Sequence, residues 1–213
     1  MDKKTDNHNP KAKLDLRRYF LRKYHADGPI HVMDCCQGSG VLWNTLREEF
    51  AVDSYWGLDL KPKKGRLKID STRILAQPGW MQNVIDIDTY GSPWKHWAAM
   101  LPNIVRPTTV FLTWGSHSLE VLGSLERQAI GLNLRAVIPT AFWPKLQLLG
   151  FSVPYLLTTG LVNITIADAL QAESEGTARY LGIRLEPQKT SDREAVTSGR
   201  SEPKQPVKEV AHV

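Results

Sequence analysis

"VMDCCQGSGVLW", Val32 to Trp43, decides how this chain is read. A hydrophobic run ends in Asp34, a Gly-x-Gly follows at Gly38 and Gly40, and apolar residues at helical spacing begin with Val41. Strand, tight turn and helix start, in that order, is the arrangement with which α/β sheets receive nucleotide-like ligands.

Outward from this stretch, Ile30 to Cys35 reads as a first strand and Val41 to Phe50 as a helix. "DSYWGLDL" is a second strand closing at Asp59, "GRLKID" a third, and "MQNVIDID" a fourth that runs into the turn "TYGSPW". A short helix is expected near Ser71 to Ala76, and further helices from about His117 and in "AFWPKLQLLGF". "TTVFLTWG", rich in β-branched and aromatic residues, is a fifth strand, and "VNITIADAL" and "ARYLGIRLE" pattern as an antiparallel hairpin. Upstream, "LDLRRYFLRKYH" (Leu14 to His25) puts Leu16, Tyr19, Phe20, Lys23 and Tyr24 near helical spacing, and Gly28 and Pro29 end it. The fold class expected is α/β: a Rossmann-like, doubly wound, mostly parallel sheet with a C-terminal antiparallel hairpin. Residues 1–13 read as a disordered basic arm, 14–185 as the domain, and 186–213 as a disordered polar tail.

The chain has 213 residues and 42% hydrophobic content, enough for one domain with a sizeable core. No apolar run approaches the ~18 residues of a membrane span, and the polar start lacks a signal-peptide apolar region. The two cysteines, Cys35 and Cys36, are adjacent, a poor disulfide pair without metal-site spacing, so a reduced, cytoplasmic protein without structural zinc is expected. Residues 1–25 hold eight Lys/Arg and three Asp/Glu and so carry the whole net charge of +5. Such an arm can attract phosphates, which makes nucleic acid a candidate partner.

A dinucleotide fingerprint needs a third glycine three positions after the second, where this chain has Trp43. Asp34 also disfavours a pyrophosphate: at ~5 Å and an effective dielectric of ~20, one like-charge pair costs roughly 3 kcal/mol. The same carboxylate favours a cationic ligand, and S-adenosylmethionine carries a sulfonium and an ammonium and no phosphate. Asp59, nineteen residues after Gly40, stands where an acidic residue accepts ribose hydroxyls.

With those residues, "VMDCCQGSGVLW" and "YWGLDL" resemble the first two motifs of class I S-adenosylmethionine-dependent methyltransferases. The resemblance implies that Asp34, Gly38 and Gly40 line the methionyl side, that Asp59 holds the ribose, and that Asp70 in "LKIDST" stands near the adenine amino group. In "VIDIDTYGSPW", Val84, Asp86 and Asp88 share one face of a regular strand, and the turn beyond aims backbone carbonyls and Tyr90 into a pocket, where Tyr90 or Trp94 can stack on a base. Residues 86–93 resemble the fourth motif of transfer-RNA guanine-N2 dimethyltransferases, with Thr89 in place of that family's proline. In 213 residues, that family's additional RNA-binding domain is not expected.

The reading that results is methyl transfer from S-adenosylmethionine to an exocyclic amine, foremost of a nucleic acid. Asp88, Tyr90, Ser92 and Pro93 are the expected catalytic residues, and Asp34, Gly38, Gly40, Asp59, Asp70 and Asp86 the expected cofactor-binding residues. The alternatives are an NADP-dependent oxidoreductase, with "KPKKGR" (Lys61 to Arg66) on the 2′-phosphate, and a non-catalytic nucleic-acid- or protein-binding member of the fold. His117 is a minor candidate base.

Overall fold

The computed structural model describes residues 9–62, 68–89, 93–114, 164–172 and 178–187. Asn9 starts the first helix, α1 (Pro10–Tyr24). Its side-chain oxygen accepts the Ala12 N–H at 3.1 Å, and Pro10 stands in the first turn, where no amide partner is required. The helix therefore begins inside the stretch expected to be a disordered arm. Its buried face carries Lys13, Leu16, Arg17, Phe20 and Leu21, whereas Tyr19 and Lys23, also near helical spacing, are exposed. Two of the five buried residues are cations, which apolar spacing does not register.

The sheet has six strands in the order β2-β1-β3-β4-β6-β5. These are β1 (Ile30–Asp34), β2 (Val52–Gly57), β3 (Val84–Ile87), β4 (Thr108–Trp114), β5 (Ile164–Ala172) and β6 (Arg179–Pro187). The first four run parallel, and β6 lies antiparallel to both β4 and β5. This is the doubly wound, mostly parallel sheet with a terminal hairpin that the element order implied. β6 continues through Glu186 and Pro187, slightly beyond the expected start of the tail. Of "GRLKID", only residues 68–70 are described, and they form no strand. The helices expected near His117 and in "AFWPKLQLLGF" lie outside the described residues, as does the chain after Pro187.

Alternation of side chains along the strands divides the core in two. On one face Met33, Ile85, Ile87, Val110 and Leu181 pack against α3 (Ser71–Leu75) and α4 (Trp94–Met100), with Leu75, Trp97 and Met100 fully buried. On the other, Val32, Val84 and Phe111 meet α1 and α2 (Val41–Glu49) through Leu16, Phe20, Trp43 and Leu46. Phe20 fixes α1 closely. Its ring lies edge-on to Phe111 with centroids 5.9 Å apart, and a Cβ added at Gly182 would come within 2.4 Å of it. No helix among the described residues is long and apolar enough to cross a membrane.

Candidate functional site

The parallel strands β1, β2 and β3 end on the same edge, and five carboxylates gather at or beyond it: Asp34, Asp59, Asp70, Asp86 and Asp88. In open α/β sheets that edge receives ligands. The turn after β1 is stitched to both neighbouring strands. Leu58 N–H donates to the Asp34 carbonyl at 2.8 Å, Gln37 N–H to the Leu58 carbonyl at 2.9 Å, and Cys35 N–H to the Asp86 carbonyl at 2.8 Å. Gly38 (φ 51°) and Gly40 (φ 76°) take the left-handed conformation the turn requires, and Gly40 starts α2.

On the β1–β2 side the carboxylates are held by neutral donors. Gly38 N–H and Lys61 N–H donate to the two oxygens of Asp59 at 2.8 and 2.7 Å. Asp34 accepts the Tyr55 hydroxyl at 2.7 Å and the Cys36 amide at 3.3 Å. Burial, with the neighbouring Asp86 charge second, pushes the Asp34 carboxyl up to about 7, and Tyr55 and Arg17 only partly offset this.

On the β3 side the carboxylates are held by cations from α1. Arg17 donates from Nε and Nη2 to the two oxygens of Asp86, both at 2.7 Å, and the Trp43 indole N–H adds a third bond at 2.7 Å. Both side chains of this ion pair are 2% exposed. Lys13 Nζ meets both oxygens of Asp88 at 2.8 and 2.7 Å. The register has a simple origin. Four residues along a helix rise about 6 Å, and two along a strand about 6.6 Å, so Lys13 and Arg17 reach Asp88 and Asp86 from an α1 running opposite to β3. Burial alone would raise the Asp88 carboxyl, but Lys13 and Arg17 outweigh it and hold the group below the usual carboxylate range.

Asp86 is therefore not placed as expected. Its three donors and near-complete burial make it an internal anchor for α1 and Trp43 rather than a cofactor ligand. Asp70 caps α3, accepting the Thr72 amide at 3.0 Å. Beside it, Ser71 Oγ donates to the Cys35 carbonyl at 2.8 Å and lies 3.0 Å from His96 Nε2 on α4. The serine has one proton to give, so His96 donates from Nε2 and its Nδ1 is an acceptor. That atom is buried and has no hydrogen-bond partner among the described residues. Pro93 is buried at the start of α4, where its carbonyl accepts the Trp97 amide at 3.0 Å. Tyr90 and Ser92 lie outside the described residues, as do residues 63–67 of the basic loop and His117.

Sequence reasoning missed Lys13, Trp43, Tyr55, Ser71 and His96. The four-residue step from Lys13 to Arg17, set against the two-residue step from Asp86 to Asp88, was the one available signal for two of them. Trp43 also explains why the third glycine is absent: its indole is 1% exposed and bonded to Asp86 at that position.

No family model and no curated protein matches the chain. Solved structures do. Trm1 from Pyrococcus horikoshii, in complex with S-adenosyl-L-methionine, superposes with a TM-score of 0.56 at 17% identity over 88% of this chain and 58% of that one. The likeness is one of fold. This chain thus spans under two thirds of the length of that protein. A Streptococcus thermophilus protein named as a hemolysin (11% identity, 88% and 72% covered, TM-score 0.49) and TrmN from Thermus thermophilus (15%, 82% and 48%, TM-score 0.46) are more distant in shape.

Proposed function

We infer that the chain is an S-adenosylmethionine-dependent methyltransferase whose acceptor is an exocyclic amine of a nucleic acid. The observation that carries this reading is the unequal treatment of the carboxylates: Asp34 and Asp59 lie at the glycine turn with neutral donors, so a cationic ligand there would meet carboxylates not already matched by a bonded cation and would draw Asp34 into its ionised form. The fold supports it, being shared with a structure solved with that cofactor.

The donor set fits the group. Asp59 has the position to hold ribose hydroxyls, and Gly38 and Gly40 let the backbone approach closely. Asp34 acts on the methionyl side by its field. Asp70, at the start of α3, offers an acceptor for the adenine amino group. When bound, S-adenosylmethionine supplies an electrophilic methyl carbon. Asp88 accepts an N–H of the acceptor amine and orients its lone pair. Held below the usual carboxylate range, Asp88 is a weak base, so its role is orientation and not deprotonation.

The nucleic-acid part rests chiefly on the likeness of residues 86–93 to the amine-methylating motif, with the basic α1 a lesser support. Ion pairs take up much of that basicity. Arg17 lies on Asp86, Arg18 on Glu49 and Asp15, and Lys23 on Asp168. Arg18, Arg22 and Lys23 still line an open depression of about 490 Å³ with Asp15 and Tyr19 on the outer face of α1.

The test is transfer of radiolabelled methyl groups from S-adenosylmethionine to pools of RNA, DNA and protein. Label in RNA or DNA is expected. Label in protein alone overturns the acceptor, and label in none overturns the activity for these pools.

A further inference from the structure

We propose that Lys13 selects the charge of the acceptor: it compensates Asp88 in place, so the site takes a neutral amine such as that of a nucleobase and rejects an alkylammonium such as a lysine side chain. This deepens the methyltransferase reading and rests on it.

Lys13 is a fixture of the site and not a removable lid. Its side chain is 5% exposed, that of Asp88 is 17% exposed, and the ammonium also lies 5.1 Å from the centre of the Tyr180 ring. One turn further along α1, Arg17 is bonded to Asp86 through Nε and Nη2, and Phe20 is wedged beneath β6 at Gly182. Withdrawing Lys13 by moving the helix would strand a buried charge and open the core. The cation therefore stays when an acceptor arrives.

The groups facing Asp88 are Lys13 and Arg17 from α1 and the Thr113 hydroxyl from β4. A carboxylate has about four lone-pair sites. Lys13 takes one on each oxygen, which leaves room for an N–H from a substrate. An acceptor that brings its own positive charge meets a carboxylate whose charge is already matched, with a second ammonium about 5 Å away. At an effective dielectric of ~20, that repulsion makes binding weaker than in a site without Lys13 on the order of a hundredfold. A neutral aromatic amine meets no such barrier, and Asp88 can still accept its N–H.

The experiment titrates the full chain with n-butylammonium as a cationic probe and guanosine as a neutral one, following binding by NMR for wild type, K13Q, K13R and K13Q/D88N. Wild type and K13R are expected to show no saturable butylammonium binding. K13Q, which leaves Asp88 uncompensated, is expected to bind it about tenfold or more tightly than wild type, and D88N to abolish the gain. No gain in K13Q overturns the proposal. The wild type decides independently of whether K13Q folds: saturable butylammonium binding equal to or tighter than guanosine binding also overturns it, and its absence upholds it. Calorimetry with S-adenosylmethionine on the same samples keeps the two claims apart. Cofactor binding without charge discrimination removes only the role of Lys13. Absence of cofactor binding removes the methyltransferase reading, while the amine titration still reports on Lys13.

Discussion

Two halves of one sheet edge treat the same chemical group in opposite ways. At β3, Asp86 and Asp88 are each matched by a cation that α1 carries into the interior. At β1 and β2, Asp34 and Asp59 are held by a hydroxyl and backbone amides, and Arg17 influences Asp34 only across space. The Arg17–Asp86 pair of the β3 half is a structural seam, whereas Asp88 beside it keeps some exposure. Breaking either member there leaves a buried charge, a far larger penalty than the pair's own net contribution. In the β1–β2 half the carboxylates are held by neutral donors, and this is the half that the proposed function assigns to the cofactor.

The largest effect should come from the seam. Arg17→Met leaves Asp86 buried with only the Trp43 bond and should destabilise the chain by about 3–5 kcal/mol in urea unfolding. A loss comparable to that of a surface pair would show that the seam is not where the stability resides. Asp59→Ala tests the other half. It should cost ~2–3 kcal/mol of S-adenosylmethionine affinity, measured by calorimetry, because hydrogen bonds to a charged acceptor are among the strong ones. Asp59 is only half-buried, so the melting temperature should move little. Wild-type affinity in the folded variant would remove Asp59 from the site. The smallest effect is expected outside both halves. Replacing Arg18, Arg22 and Lys23 with glutamine should flatten the salt dependence of RNA binding only slightly, since Arg18 and Lys23 already engage acidic partners. A steep loss of the salt slope would show that this face collects phosphates in spite of its ion pairs.

The β1–β2 half was the more legible in the sequence. Gly38 and Gly40 announced a turn needing left-handed backbone, Asp59 was expected to close the second strand and lies two residues beyond the end of β2, and the hairpin of β5 and β6 followed from period-two patterning. Local rules suffice there, because each feature spans only a few residues. The seam obeys no local rule. Lys13 and Arg17 resemble solvated charges until their partners, 75 and 69 residues away, are known. For the same reason Lys13 was counted with the arm and Asp86 with the cofactor. α4 went unread because Ser92–Pro93 signals a turn, and the aromatic run after it, "WKHWAAM", is too short for helical periodicity to declare itself.

The two halves should also differ in pH response. Asp88 is held low, so its contribution to stability is present above the ordinary carboxylate range and lost as pH falls through its depressed value. Asp34 is raised to about 7, so its contribution is present below the ordinary carboxylate value and lost as pH rises through about 7. A cation bound beside Asp34 favours its ionised form, so binding must displace a proton at lower pH. The most direct measurement is therefore calorimetric titration of the full chain with S-adenosylmethionine from about pH 6 to about pH 8, in buffers of differing ionisation enthalpy. Affinity should rise through about pH 7 with proton release below it, Asp34→Asn should abolish the pH dependence, and NADP should not bind. An affinity flat across that range without proton release, or NADP binding in its place, would contradict a cofactor edge built for a cation.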